Sequence, residues 1–113
     1  MAIPSGSGTE VLKRATQHNL NNTQTTLLAG TANHIYTIIS IFCADQSGSS
    51  QTINIRVNDG SNDIYILTNT SLPANGSFVF NDKFVMEGDD ILSVKNTGTQ
   101  ADWYVSYIDQ DFS

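Results

Sequence analysis

Short segments rich in β-branched and aromatic residues recur along the chain at intervals of roughly ten residues, and turn-forming residues separate them. The clearest segment is "SQTINIRVNDG", in which Ile53, Ile55 and Val57 alternate with polar residues. A period of two places these apolar side chains on one face of a β-strand and leaves the other face to solvent. Strands joined by short polar loops are typical of sandwiches and barrels, whereas α/β folds need helical stretches between strands.

Other segments of the chain repeat this strand pattern, and the longest of them is apolar enough to be predicted as a central strand. They are "TQTTLLAG", "NHIYTIISIFCAD", "IYILTNT", "DILSVKNT" and "ADWYVSYIDQ". Segment 10–20 has low helix propensity towards its end, so we predict an irregular strand there rather than a short helix. Asn81 and Asp82 lie between "SFVF" and "KFVM" and predict a tight reversal of the chain.

The number and spacing of these segments predict the fold. About eight strands with connections of unequal length favour a jelly roll. An immunoglobulin fold is less favoured because Cys43 is the only cysteine. We therefore predict an all-β protein in which residues 10–113 form one antiparallel, jelly-roll-like β-sandwich. Residues 1–9 contain glycine, serine and proline without periodicity, which predicts a flexible or extended N-terminal arm.

Composition argues against two classes of partner. The formal net charge is −6, and the five lysine and arginine residues form no clustered basic face, so we expect no binding to nucleic acid. No run approaches the roughly eighteen apolar residues of a membrane span, and the first residues lack the features of a secretion signal. We expect a protein that is kept in the cytoplasm or built into something assembled there. Cys43 lies in the most apolar segment and is predicted to be a small buried residue.

Two acidic clusters are candidates for a metal or catalytic site. The first contains Glu87, Asp89 and Asp90 around a glycine, between two apolar segments, and we interpret it as a turn between strands. Binding of a cation together with another loop is one alternative, and catalysis by paired carboxylates is another. The second cluster, Asp59 with Asn62 and Asp63, is interpreted as a hairpin loop, with calcium binding as the alternative.

The remaining reactive residue types do not assemble into a catalytic pattern. His18 and His34 have no cysteine or carboxylate at metal-ligand spacing, and each is predicted to be a surface or hydrogen-bonding residue. The glycine and serine residues near the start have neither the context of a nucleophilic serine nor that of a phosphate-binding loop. We predict no enzyme, no catalytic residue, no metal site and no cofactor.

Aromatic residues on the predicted strands allow one further function. They could form a platform on which sugars stack, although aromatic side chains in strands are more often core residues and cross-strand partners. The side chains concerned are Tyr36, Tyr65, Trp103, Tyr104 and Tyr107.

Three segments of the chain, "MAIPSGSGTEVLKRA", "NHIYTIISIFCADQS" and "FNDKFVMEGDDILSV", resemble small virion structural proteins of tailed bacteriophages, particularly those that decorate or cement the head. The resemblance covers most of the chain and is one of overall character. It implies a jelly-roll or related sandwich, assembled as a homotrimer on a lattice of major capsid protein, with an arm that contacts the shell. It implies no catalytic residue.

This resemblance leads to a specific functional hypothesis. The chain is predicted to be a decoration or cement protein of the virion, assembled in the host cytoplasm, that stabilises contacts between capsid subunits. Arm residues Ile3 and Pro4, with Val11 and Leu12 of the first strand, are the predicted contacts with the capsid or another partner. A neck or tail component and a carbohydrate-binding module that contacts the host surface remain alternatives.

Overall fold

The computed structural model describes residues 9–113 of the chain. Ile3, Pro4 and the rest of segment 1–8 lie outside the described residues. Within the described range the chain forms nine β-strands and no helix. The strands are β1 (Thr9–Leu20), β2 (Thr25–Ala29), β3 (His34–Asp45), β4 (Gln51–Asn58), β5 (Asp63–Leu72), β6 (Ser77–Phe80), β7 (Phe84–Glu87), β8 (Ile91–Asn96) and β9 (Ala101–Asp111).

The strands form two antiparallel sheets that pack face to face. The β1 sheet has the order β1-β9-β3-β6, and β7 also pairs with β3. The β2 sheet has the order β2-β8-β4-β5. The chain passes repeatedly from one sheet to the other, so strands that are neighbours in a sheet are mostly distant in sequence. This strand order is that of a jelly roll. The prediction of an all-β, jelly-roll-like sandwich is confirmed.

The predicted reversal at Asn81 and Asp82 is wrong. Strand β6 pairs with the segment Ile41–Ala44 of β3, and β7 pairs with the segment Ile35–Ile38, both antiparallel. The chain therefore continues in one direction along β3, and residues 81–83 interrupt a single edge strand. The three inserted residues face two residues of β3, which is the geometry of a bulge, and polar residues suit a bulge as well as a turn. If β6 and β7 are counted as one interrupted strand, the described residues form a sandwich of eight strands.

Strand β1 is more regular than the sequence predicts. It pairs with β9 residue by residue from Thr9 to Gln17, and the register shifts only between Gln17 and Leu20. The prediction of a strand rather than a helix in this segment is confirmed. The irregularity is confined to the C-terminal end of β1, from which the chain continues to β2.

The core lies between the two sheets and is formed by alternate residues of the long strands. Ile53, Ile55 and Val57 of β4 are buried, as the alternation predicts. Trp103 and Val105 of β9 face them from the β1 sheet and belong to the same cluster. No helix of the described residues is long and apolar enough to cross a membrane.

Cys43 lies in this core and is fully buried, which confirms its prediction as a small buried residue. Burial raises the pKa of the Cys43 thiol to about 12, and the negative charges of Asp45 and Asp102 add to the effect. The thiol is therefore protonated at neutral pH. Since the thiolate is the reactive form, Cys43 is chemically inert in the folded protein.

Candidate functional site

The acidic cluster of Glu87, Asp89 and Asp90 forms the turn between β7 and β8. The backbone N–H of Asp90 donates to the carbonyl of Glu87 at 3.2 Å. The N–H of Glu87 donates to the Asp90 carboxylate at 3.0 Å. Gly88 has a φ of 56°, in the left-handed region that glycine adopts without strain. The interpretation as a turn between strands is confirmed.

The second acidic cluster forms the loop between β4 and β5. The Asp59 carboxylate accepts backbone hydrogen bonds from Asn62 and Ser61, at 2.8 and 3.0 Å, and these bonds lower its pKa. Asp63 is paired with Arg56 at 3.1 Å. The carboxylates of this loop are thus satisfied by their own surroundings, as expected of a hairpin loop.

The two acidic loops lie at the same end of the sandwich. Asp59 of one loop and Glu87, Asp89 and Asp90 of the other border an open depression of about 380 Å³. Among residues 9–113, no three histidine, cysteine or acidic side chains converge in an arrangement that could hold a metal ion.

Both histidines hydrogen-bond to carboxylates that are distant in sequence. His34 Nδ1 lies 2.6 Å from Asp109 Oδ1, and Lys13 Nζ donates to Asp109 Oδ2 at 2.8 Å. His18 Nδ1 lies 2.8 Å from Asp102 Oδ1. The prediction of surface or hydrogen-bonding histidines is confirmed, but the sequence did not reveal their partners because these come from another strand.

Asp109 has a structural role in this group. Burial would raise its pKa, but hydrogen bonds from Lys13 and His34 outweigh burial, so the pKa of Asp109 lies below its ordinary value. The ionised carboxylate therefore connects β1, β3 and β9 near the end of the sandwich. The arrangement contains a carboxylate, an imidazole and an ammonium group but no nucleophile between them.

The aromatic residues do not form one platform. Trp103, Tyr36 and Tyr107 are buried in the core, which confirms their interpretation as packing residues. Tyr104 lies on the outer face of the β1 sheet, and Tyr65 belongs to β5 of the β2 sheet. The five side chains proposed for sugar stacking are thus not brought together.

The outer face of the β1 sheet carries an exposed apolar surface. Phe42 of β3 lies opposite Tyr104 of β9 on one side and Val79 of β6 on the other. Phe42 and Val79 are 43% and 51% exposed. The rings of Phe42 and Tyr104 stack with centroids 6.1 Å apart, and the Arg14 guanidinium lies 5.8 Å from the centroid of the Tyr104 ring. Phe42, Val79 and Tyr104 border an open depression of about 590 Å³.

The outer face of the β2 sheet is different in character. Its central strand β4 presents polar residues there, Thr52, Asn54, Arg56 and Asn58, between the buried ones. The two faces of the sandwich are therefore chemically unequal. Exposed apolar surface of this kind marks sites of interaction more often than sites of chemistry.

The predicted contact residues Val11 and Leu12 lie next to each other on β1, at an edge of the β1 sheet. Val11 is 46% and Leu12 73% exposed, and their side chains point to opposite faces of the sheet. Both are available to a partner. Ile3 and Pro4 lie outside the described residues, so the contact surface as a whole stays a prediction.

The jelly-roll fold is shared with chains of solved assemblies at low sequence identity. A chain in the acidic stable capsid structure of Helicobacter pylori bacteriophage KHP30 superposes with a TM-score of 0.60 and 9% identity, over 96% of this chain and 92% of that chain. A chain of the Bacillus endospore appendages, a family of disulfide-linked pili, superposes with a TM-score of 0.53 and 17% identity, over 100% and 97% of the two chains. Identities this low show a shared fold alone.

A larger viral protein contains the same fold as one part. A chain in the structure of infectious bursal disease virus Gx strain superposes with a TM-score of 0.50 and 10% identity, over 94% of this chain but 38% of that chain. The sequence itself matches no protein-family model and no curated protein.

Proposed function

We propose that this chain is a non-enzymatic structural protein of a virion, of the capsid decoration or cement type. In this role it binds the outer surface of a phage head after assembly in the host cytoplasm and stabilises contacts between major capsid protein subunits. The observation that carries the proposal is the likeness to a chain in the KHP30 capsid structure, which extends over nearly the whole of both chains. The matched protein is thus a small component of similar length, as expected of an accessory subunit.

The chemistry of the described residues agrees with a structural role. The carboxylates of Asp59, Asp90 and Asp109 accept hydrogen bonds from within the protein, and the exposed apolar residues suit contact with another surface. A protein repeated on a lattice needs only weak individual contacts, because neighbouring sites raise the effective concentration.

The likeness to pilus subunits supports a different assembly, and Cys43 argues against it. A fibre held together by disulfides needs a cysteine that reaches a neighbouring subunit. Cys43 is the only cysteine and lies in the core. Disulfide linkage between folded copies of this chain is therefore excluded by its burial.

The proposed contact with the capsid includes Ile3 and Pro4 of the arm, with Val11 and Leu12 available to the capsid or to a neighbouring subunit. A chain lacking residues 2–9 is expected to remain folded but to lose attachment to heads from which this protein is absent. Ordering a glycine-rich segment costs about 1–2 kcal/mol per residue, so the arm contributes only if contacts with the shell offset that cost. Co-sedimentation with purified heads measures attachment, and circular dichroism reports the fold.

A full-length chain with Ile3→Ser and Pro4→Ser is the matched control for this deletion. It keeps the length of the arm and removes its apolar side chains, so loss of attachment in both variants identifies those side chains as the contact. Unchanged attachment of the deleted chain contradicts the proposed docking by the arm. Gold labelling that falls on the neck or tail, with the head left bare, identifies a neck or tail component instead.

We also propose that the protein assembles as a homotrimer. Light scattering on the isolated protein is expected to show three times the 12.3 kDa of one chain, or a multiple of that mass where trimers associate further. A trimer suits a lattice site with three-fold symmetry, at which three major capsid protein subunits meet one decoration assembly. If the protein is a monomer at all concentrations, the proposed trimer is contradicted. Binding to the head is tested separately, by the co-sedimentation experiment.

A further inference from the structure

Strand β1 presents a long and regular sheet edge to solvent. It pairs with β9 on one side, and on its other side no strand of residues 9–113 pairs with it. Its pairing with β9 is continuous from Thr9 to Gln17, without a bulge. Alternate backbone N–H and C=O groups of this segment therefore face outward without a strand partner. Such an edge is a template for pairing with another extended segment.

The other three sheet edges are protected against such pairing. Strand β2 has only five residues and a register shift, and β5 has two shifts in its pairing with β4. The edge formed by β6 and β7 is interrupted at residues 81–83. Short, bulged or interrupted edges do not template a strand well. Among the described residues, β1 is the only regular edge.

The side chains of β1 indicate which partner fits this edge. Glu10, Leu12 and Arg14 share the outer face of the sheet, with the exposed leucine between opposite charges. If a second β1 strand lies antiparallel across a two-fold axis at Leu12, the two leucines face each other. The same axis places Glu10 of each copy opposite Arg14 of the other. The pattern is complementary to itself.

We propose that the β1 edge pairs with β1 of a second copy of this chain, antiparallel and centred on Leu12. The pairing joins the two β1 sheets into one continuous sheet over Thr9–Ala15. It removes Leu12 from water, satisfies the outward backbone groups and forms two oppositely charged cross-strand pairs. On the other face, Val11 packs against the aliphatic stem of Lys13 of the second copy.

Other registers are unfavourable, so this one is specified. Moving the axis by two residues, to Glu10 or to Arg14, places like charges opposite each other. Parallel pairing in register also aligns Glu10 with Glu10 and Arg14 with Arg14. A shift by one residue places the axis at Val11 or Lys13 and takes Leu12 away from its counterpart. Only the antiparallel arrangement centred on Leu12 combines an apolar contact with two opposite-charge pairs.

This inference goes beyond the proposed virion role and does not rest on it. It assigns Leu12 to a contact between copies and leaves Ile3 and Pro4 to the capsid. A two-fold contact at one edge leaves the remaining surface free for a three-fold contact, so both can exist on a lattice. Because the contact is measured on the isolated protein, its failure is separate from a failure of head binding.

Cysteine cross-linking tests the proposed register. In Leu12→Cys the two new thiols lie opposite each other, within the 4.4–6.8 Å between Cα atoms that a disulfide needs, as expected for directly paired residues of about 4.5–5.5 Å. Mild oxidation is expected to give a species of twice the 12.3 kDa chain mass on a non-reducing denaturing gel. Cys43 does not interfere because it is buried.

Thr16→Cys is the matched control, since Thr16 is an exposed residue further along the same strand and face. In the proposed register the two Thr16 positions lie roughly 27 Å apart, too far for a disulfide. A Leu12→Cys chain that cross-links no more than Thr16→Cys overturns the proposal.

Charge exchange gives a second, independent measurement. Arg14→Glu alone is expected to weaken association of the isolated protein about tenfold in sedimentation analysis, because two attractive pairs become repulsive. Combining it with Glu10→Arg restores the opposite pairs and is expected to return the dissociation constant close to its original value. A combined variant as weak as the single one, with both folded by circular dichroism, overturns the proposed pairing.

Discussion

The variant Trp103→Ala is expected to lower the free energy of unfolding by about 3–5 kcal/mol, the range for replacing a large buried aromatic residue with alanine. Trp103 is 2% exposed and lies on β9 between β1 and β3, opposite Gln17 and Cys43. Two sheets cannot collapse onto the space it leaves without breaking their own hydrogen-bonded registers. The loss therefore combines transfer of the side chain with the cost of a cavity.

Tyr104, the next residue on β9, provides the control for Trp103→Ala. Tyr104 points to the outer face, so Tyr104→Ala removes a ring of similar size without opening the core. We expect this change to cost less than about 1 kcal/mol, as for most surface substitutions. Urea denaturation followed by far-ultraviolet circular dichroism measures both. Similar losses in the two variants contradict the assignment of the two faces of β9.

A second large loss of stability is expected from Asn96→Leu, about 2–4 kcal/mol in the free energy of unfolding. Asn96 is fully buried near the end of β8. Its side-chain N–H groups donate to the carbonyls of Leu20 and Gly98, at 2.9 and 3.2 Å, and to Gln51 Oε1 at 3.0 Å. Leucine has the same number and branching of side-chain heavy atoms but donates nothing, so it leaves buried acceptors with fewer partners.

An exposed asparagine gives the comparison for this prediction. Asn81 lies in the bulge between β6 and β7, and Asn81→Leu is expected to change the free energy of unfolding by no more than about 0.5 kcal/mol. Equal effects of the two substitutions in urea denaturation, or a neutral Asn96→Leu, contradict the proposed role of the buried amide. A large loss confined to Asn96→Leu shows that the buried site of Asn96, and not asparagine as such, is responsible.

Asn96 belongs to a polar group that holds the loops at one end of the sandwich. Gln51 donates to the carboxylate of Asp45 at 2.9 Å and accepts from the backbone of Gly98 at 2.9 Å. Asp45 in turn accepts from the backbone of Asn75 at 2.9 Å. Loops that are distant in sequence are thus connected through buried side chains. The hydrogen bonds therefore tie the loops at this end of the sandwich to one another.

Much of the fold follows from the sequence because strand periodicity is local. From Ile53 to Val57 of β4 and from Ala101 to Tyr107 of β9, every second residue is apolar and belongs to the core. Gly88 with its acidic neighbours predicts a turn, and a turn is present. Such patterns need no knowledge of the partner strand, since the pleat itself alternates the side chains.

The candidate surfaces could be predicted only in part. Leu12 was among the predicted contact residues, but the self-complementary edge appears only once β1 is known to be an edge strand. The sequence did not predict the exposed apolar surface on the outer face of the β1 sheet, for a different reason. Segment β3 carries apolar residues on both faces, and Phe42 looks like a core residue until the structure shows that no strand of residues 9–113 covers it. Apolar residues on both faces of a strand are the signal that could have identified this surface.

The sequence by itself determined that this protein is a β-sandwich, that Ile53, Ile55 and Val57 of β4 face inward, and that its single cysteine is a core residue. These properties depend on the pleat and on the free energy of removing apolar side chains from water, both of which act within a few residues. The tertiary structure alone decided that β6 and β7 continue along β3, that Asp109 contacts His34 and Lys13, and that β1 stands at the end of its sheet. Strand order and register join residues that are far apart in the chain, and local patterns do not specify which strands meet.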